Sequence, residues 1–183
     1  MKSGEKALTR GEVGKLLSVM TNLRDLALIK LAIGGGIRRG DIIRIMIQDI
    51  DLKEGSVSFK EEKKDDAIHK VYLPSDVMNT LAMLICTNLK RNGFLFTTNY
   101  GDCKHISGVT AWNILNRNLI KAGLSPIPFH ALRATCVKLC QARGWTPSQT
   151  AKHINDTLRV VEAHYSVPSQ DEMKETAKEK AIL

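Results

Sequence analysis

The stretch from Leu23 to Ile33 constrains this chain most. LRDLALIKLAI is apolar on nearly every side and runs into three consecutive glycines, Gly34 to Gly36. A helix of that composition must pack against a core rather than present one face to water. It is also far too short to cross a bilayer, which takes about 20 apolar residues. The glycines stop the helix and let backbone come close to something, either a packed helix or a phosphate.

Around this segment the periodicities are readable. Thr9-Arg-Gly-Glu12 resembles a capping box, and Val13, Leu16, Leu17 and Met20 follow at helical spacing, so a first helix begins there. Ile45 to Leu52 is rich in β-branched residues and ends in Asp49-Ile-Asp51, Val57-Ser-Phe59 alternates, and Ile68 to Leu73 has the same extended character. Three strands in a small antiparallel sheet are predicted, with the charge-dense link Lys60 to Asp66 in solvent. Helical periodicity returns from Ser75 to Arg91, with Gly93 just beyond. After the short apolar link Phe94-Leu-Phe96, helices are predicted over Ser107 to Ala122, Phe129 to Ala142, Pro147 to Ile154 and Leu158 to Tyr165. The expected fold class is mainly α with a small three-stranded antiparallel sheet (α+β).

At 183 residues and 43% hydrophobic content, the chain can bury one substantial core, and no stretch marks a second domain of comparable size. The formal charge is +8, and the cations recur along the whole chain instead of collecting in a tail. That points to a polyanionic partner, nucleic acid first. A membrane-surface protein needs a basic amphipathic helix with bulky apolar anchors, and none stands out. Met1-Lys-Ser-Gly-Glu5 lacks the apolar core of a signal peptide, so the expected location is the cytoplasm, on intracellular DNA. Cys86, Cys103, Cys136 and Cys140 show neither CxxC pairs nor the density of a secreted scaffold. They read as reduced thiols, Cys136 and Cys140 sharing a helical face.

His130 and Arg133 are three residues apart on a predicted helix, so one phosphate can meet both side chains. By itself an HxxR spacing is weak evidence, because a solvated surface pair explains it as well. Tyr165 adds a possible nucleophile, useful only where cations stabilise the phosphate it attacks.

Order and context make the pattern specific. Gly36-Ile37-Arg38-Arg39-Gly40-Asp41 resembles the Gly-Leu-Arg-x-Ser/Gly-Glu segment of the tyrosine recombinases, the integrase family of phages, mobile elements and chromosome-dimer resolution systems. Asp25-Leu-Ala-Leu-Ile-Lys-Leu31 matches the helix before that segment, and Asp49-Ile-Asp51 the strand after it. Lys70-Val-Tyr-Leu-Pro74, His130-Ala-Leu-Arg133 and Tyr165 then follow in the family's order. The resemblance implies a DNA recombinase or integrase, of viral, plasmid or mobile-element type. In it Arg38 and Arg133 clamp the non-bridging oxygens of the scissile phosphate, and His130 donates to the same group. Tyr165 attacks in line to give a 3′-phosphotyrosyl intermediate, without ATP or metal. It further implies a general-acid lysine on the turn between the second and third strands. Lys60, Lys63, Lys64 and Lys70 lie in or beside that turn; Lys63 is the first choice and Lys64 the alternative, the remainder being solvated hairpin charges.

One position departs from the family. Where a Leu-Gly-His segment normally supplies a histidine or tryptophan, an ungapped alignment places Asn155-Asp156, nine residues before Tyr165. An ionised aspartate can only accept hydrogen bonds, so Asp156 is expected to orient a neighbour or Tyr165 itself. His153 is the alternative occupant of that role, with His164 a third. Asp41 is expected to hold the Arg38 helix through a buried salt bridge. Trp112 and Trp145 are expected in interhelical packing, and His69 and His105 on the surface.

The resemblance implies a catalytic domain at 9–168 and a C-terminal tail at 169–183, for which two expectations stand: docking on a neighbouring subunit, or a frayed tail. A separate N-terminal DNA-clasping domain is expected to be missing. Implied partners are double-stranded DNA and further copies of the chain in a tetrameric synapse. The rival expectations are a type IB topoisomerase, which shares the chemistry, and a non-enzymatic DNA-binding derivative.

Overall fold

The computed structural model describes residues 6–60, 68–87, 92–98 and 101–164, except for the side chains of 101–103 and His164. Helix α1 (Arg10–Ser18) opens with the expected capping box: the Thr9 hydroxyl accepts from the Glu12 amide, and the Glu12 carboxylate accepts from the Thr9 amide at 2.8 Å. Helix α2 (Leu23–Gly35) starts at Asn22, whose side chain accepts from the Asp25 amide, and buries Ala27, Leu28, Ile29, Leu31, Ala32 and Ile33. Each fully shielded Leu or Ile contributes about 1.5–3 kcal/mol, which makes this helix the axis of the main core.

The glycines do not end α2 where the sequence suggests. Gly34 and Gly35 are still helical, and Gly36, at φ 58°, forms the left-handed cap. Their neighbours are helices and apolar side chains rather than a phosphate. A Cβ on Gly34 would lie 2.8 Å from Val77 Cγ2, and one on Gly36 would lie 2.5 Å from Ile154 Cγ2 and 3.2 Å from Cys136 Sγ. Close approach of three elements to one helix end is what these positions require.

Helix α3 (Arg39–Arg44) follows, with Arg38 at its N-cap. The strand expected over Ile45 to Leu52 is mostly absent. Ile47–Asp49 is a 3-10 turn and only β1 (Ile50–Asp51) pairs in the sheet. The upstream backbone is engaged elsewhere: Leu95 donates to the Ile45 carbonyl at 2.8 Å, Ile47 donates to Gly93 at 2.9 Å, and the Asp49 side chain holds the Met46 amide. β1 pairs antiparallel with β2 (Ser56–Lys60), and β2 with β3 (Ile68–Tyr72), in the register Val57 to Val71 and Phe59 to His69. The expected three-stranded sheet is therefore present, with a shorter first strand.

Helix α4 (Ser75–Thr87) packs on α2. A two-stranded ribbon of β4 (Thr97–Thr98) and β5 (Gly101–His105) then interrupts what the sequence reads as helix and link alone. Strands this short leave no periodic signal. Helices α5 (Gly108–Lys121), α6 (Ala131–Ala142), α7 (Pro147–Ile154) and α8 (Leu158–His164) complete the described chain. α6 lies against α2, and α6, α7 and α8 enclose a second small core of Ala134, Cys136, Val137, Ala151, Ile154 and Val161. Among the described residues no helix is long and apolar enough to cross a membrane.

Some surface assignments reverse. Trp112 and Trp145, expected in packing, are 42% and 41% exposed. α5 buries the stripe Ala111, Ile114, Leu115, Asn118 and Leu119, and Trp112 falls beside it. His69 and His105, expected on the surface, are half-buried and meet Phe59 and Phe94 edge-on at ring-centroid distances of 5.4 and 5.1 Å.

Candidate active site

The C-terminal end of α2 sets the site. Gly36 turns the chain so that Arg38 caps α3, while its own carbonyl accepts from Arg133 Nη1 at 2.6 Å. Arg133, on the first turn of α6, is 3% exposed and donates through Nη2 to Asp156 Oδ2 at 2.7 Å. Its Nε–H has no protein partner among the described residues. A guanidinium carries five N–H groups, so these two contacts fix its plane and leave donors for another anion.

Asp156 joins the two arginines. Its Oδ2 lies 3.6 Å from Arg38 Nη2 as well as 2.7 Å from Arg133 Nη2, and its Oδ1 accepts from the Thr157 amide at 3.0 Å. Burial pushes this carboxyl up, but the Arg133 hydrogen bond, the Thr157 amide and the charges of Arg133 and Arg38 outweigh it and hold the group below the ordinary carboxylate range. Asp156 is thus an anion that orients both cations, one of the roles its position in the sequence suggests.

His130 stands at the N-cap of α6 rather than inside it, because Pro128 and Phe129 precede the helix without joining it. It keeps the three-residue spacing to Arg133. Its ring is pushed below the ordinary 6.5, first by the protein packed around its inner side and then by the charges of Arg133 and Arg38, with Asp156 opposing. The outer side is open to solvent, so the shift leaves an accessible ring that is neutral near pH 7 and has one N–H to donate.

His130 and Arg38 line a cleft of about 720 Å³ together with Arg39, Arg44 and Trp112. Sequence reasoning assigns no role to Arg44, and its i,i+3 spacing from Asp41 is the signal that would have found it. Asp41 is buried, as expected, and its carboxylate holds Arg44 at 3.0 Å on the cleft wall. The Arg39 guanidinium lies over Gly108, where a Cβ would come within 3.0 Å of its Nε. The cleft therefore concentrates positive charge around one entrance.

The alternative for Asp156 is placed differently. His153 donates from Nε2 to the Gly34 carbonyl at 2.9 Å, meets Trp145 edge-on, and lines a different cavity from Arg38 and His130. Of the hairpin lysines, Lys70 lies on β3 and is ion-paired to Glu54, which raises its pKa through that hydrogen bond. A cation so held is a poor proton donor near neutrality. Lys63, Lys64 and Tyr165 lie outside the described residues, as do the His164 side chain and the tail at 169–183.

The sequence model of the phage integrase family matches residues 6–153. The chain belongs to the phage integrase family. The match ends before Asp156 and Tyr165. Among its relatives, the tyrosine recombinase XerA of Pyrococcus horikoshii is 28% identical over 135 residues, covering 72% of this chain and 46% of that protein. The XerA of Thermococcus kodakarensis is 30% identical over 145 residues, covering 72% and 47%. The integrase-family chain thus spans about half the length of the curated relatives it matches.

Solved structures agree on the fold. A XerA recombinase superposes with TM-score 0.84 at 17% identity, over 97% of this chain and 65% of that one. XerH site-specific recombinase bound to a palindromic difH substrate gives TM-score 0.74 at 19% identity, over 96% and 52%. The Tn1549 transposon integrase in complex with circular intermediate DNA gives 0.71 at 15% identity, over 96% and 67%. The mainly helical fold with its small antiparallel sheet is that of the tyrosine recombinase catalytic domains.

Proposed function

We propose that this chain is the catalytic part of a site-specific recombinase that cleaves and rejoins double-stranded DNA through a 3′-phosphotyrosyl intermediate on Tyr165. One observation carries the reading: Arg38 and Arg133, nearly a hundred residues apart in sequence, are brought onto the same Asp156 oxygen beside the His130 cleft. Two fixed cations at one point suit the extra negative charge of a pentacoordinate phosphorus, and they need no reorganisation when it forms.

In this reading a scissile phosphate enters the cleft and takes hydrogen bonds from Arg38, from the remaining Arg133 donors and from the His130 N–H. Tyr165 attacks phosphorus, its phenolic proton passes to solvent water, and the bond to the 5′-oxygen breaks. Lys63, with Lys64 as alternative, supplies the proton that the departing oxygen takes up. The reverse steps rejoin the strand, and the phosphodiester energy is kept in the covalent link. The residues at 9–168 form the catalytic unit, and those at 169–183 dock on a neighbouring copy in a tetrameric synapse on intracellular DNA. The named relatives are recombinases and integrases, some solved with DNA, which favours strand exchange over supercoil relaxation.

The test is a duplex carrying a 5′-bridging phosphorothiolate, run on a denaturing gel. A covalent protein–DNA adduct is expected with the natural sequence and not with Tyr165→Phe. No adduct from either protein, with DNA binding retained, would leave a binding module and overturn the enzyme.

A further inference from the structure

Behind the arginine pair, α6 and α7 bring three metal-ligating side chains together. Cys136 and Cys140 are one turn apart on α6, His153 comes from α7, and one ligand atom of each lies within 4.8 Å of the others. Both cysteines are buried free thiols, at 1% and 9% exposure, and the reaction proposed above uses neither. They share a hydrogen bond, so Cys140 is held below the ordinary thiol value while the same contact and burial push Cys136 up. Arg143 further favours the Cys140 thiolate.

The imidazole is already oriented. Its Nε2–H is given to the Gly34 carbonyl at 2.9 Å, so the lone pair of the neutral ring sits on Nδ1, and burial keeps the ring neutral. A ring N–H on a backbone carbonyl is the outer contact that metal-bound histidines commonly make. Bonds of about 2.3 Å to sulfur and about 2.0 Å to nitrogen set the ligands of a tetrahedral zinc roughly 3.5–3.8 Å apart, so closure takes about an ångström of side-chain movement.

We propose that Cys136, Cys140 and His153 form a binding site for a thiophilic divalent metal ion of the zinc type, with the fourth position open to the cavity of about 540 Å³ that all three line. Binding displaces the thiol protons to solvent, and the two thiolates balance the charge of the ion. The metal takes no part in phosphoryl transfer. It joins α6 to α7, where Arg133 stands one turn before Cys136 and Asp156 three residues after His153, and so braces the segments that carry the clamp.

The experiment is a Co²⁺ titration of reduced, chelator-treated protein, followed by thiolate-to-cobalt charge-transfer absorption and tetrahedral d–d bands. Saturation at one Co²⁺ per chain is expected, with the bands abolished by Zn²⁺ and the Tm raised by Zn²⁺. The double variant Cys86→Ser, Cys103→Ser keeps the bands, and Cys140→Ser, checked for folding by circular dichroism, loses charge-transfer intensity. Bands absent from the natural protein in excess Co²⁺, bands lost in the Cys86/Cys103 variant, or bands unchanged in a folded Cys140→Ser protein would each overturn the site.

Discussion

In the wall made by α2, α6 and α7 the polar contacts lie inside the core, whereas on the β2–β3 hairpin they lie at the surface. The Arg133 side chain is 3% exposed and is held by a backbone carbonyl and a carboxylate at once. Lys70 on β3, 42% exposed, holds Glu54, itself 38% exposed, in the turn that precedes β2. A cation in the first setting has one geometry and loses no entropy when a phosphate arrives. One in the second gains little from its partner, because water screens exposed pairs to about 0–1 kcal/mol. The clamp is accordingly built into the fold, while the proton donor of the proposed reaction belongs to the segment between β2 and β3, strands that anchor themselves in the main core through Val57, Phe59 and Val71 rather than through their charges.

Substitutions break the two regions differently. Arg133→Ala has the largest expected effect: adduct formation falls by about 10³-fold or more through loss of a transition-state cation. Stability drops by about 3–5 kcal/mol, because Asp156 and the Gly36 carbonyl lose a buried partner, and urea unfolding measures it. Lys63→Ala lowers the rate on ordinary DNA by about 10²–10⁴-fold, as for a general acid, with unfolding unchanged. A 5′-phosphorothiolate leaving group, which needs no proton, restores that rate. If Lys64→Ala shows this rescue instead, the alternative lysine is the donor.

Asp156→Asn loosens both arginines, and an error of about an ångström in their placement costs about 10²-fold in adduct formation. The same change lowers the His130 titration midpoint further, since Asp156 is the group that raises it, and histidine NMR signals report the shift. The acid limb of stability follows the same groups. His130 and Asp156 both have folded pKa values below their ordinary ones, so the unfolded chain binds more protons and stability falls as pH drops. The loss begins below about 6.5 for the histidine and about 3.9 for the carboxylate. Asp156→Asn removes the lower part and deepens the upper one, because the folded His130 midpoint moves further below its unfolded value. Smallest of all is Lys70→Ala, with the urea unfolding midpoint and the rate both nearly unchanged, because its ion pair with Glu54 is exposed to solvent.

Much of this architecture was legible because it rests on local rules. The capping boxes at Thr9 and Thr146, the N-cap at Ser107 and the apolar run of α2 follow from side-chain chemistry a few residues long. Arg38, His130 and Arg133 were legible from order and spacing, and Asp156 from its distance to Tyr165. What spacing cannot supply is which partner wins. The Ile45 to Asp49 stretch has the composition of a strand, yet its backbone groups go to Gly93 and Leu95. Trp112 has the composition of a core residue, yet it stands beside the buried stripe of α5 in a cationic cleft. The Cys136, Cys140 and His153 cluster depends on how α6 meets α7, which no local pattern encodes.

In the proposed mechanism Arg38 and Arg133 act by neutralising charge on one phosphate. Adduct formation by Arg38→Ala, compared with the natural protein on a normal duplex and on one with a methylphosphonate at the scissile position, tests it directly. The methylphosphonate lacks the negative oxygen, so the deficit of Arg38→Ala, about 10²–10³-fold on ordinary DNA, should shrink to within about tenfold. An equal deficit on both substrates would contradict the claim, since Arg38 would then support the fold or bind DNA elsewhere.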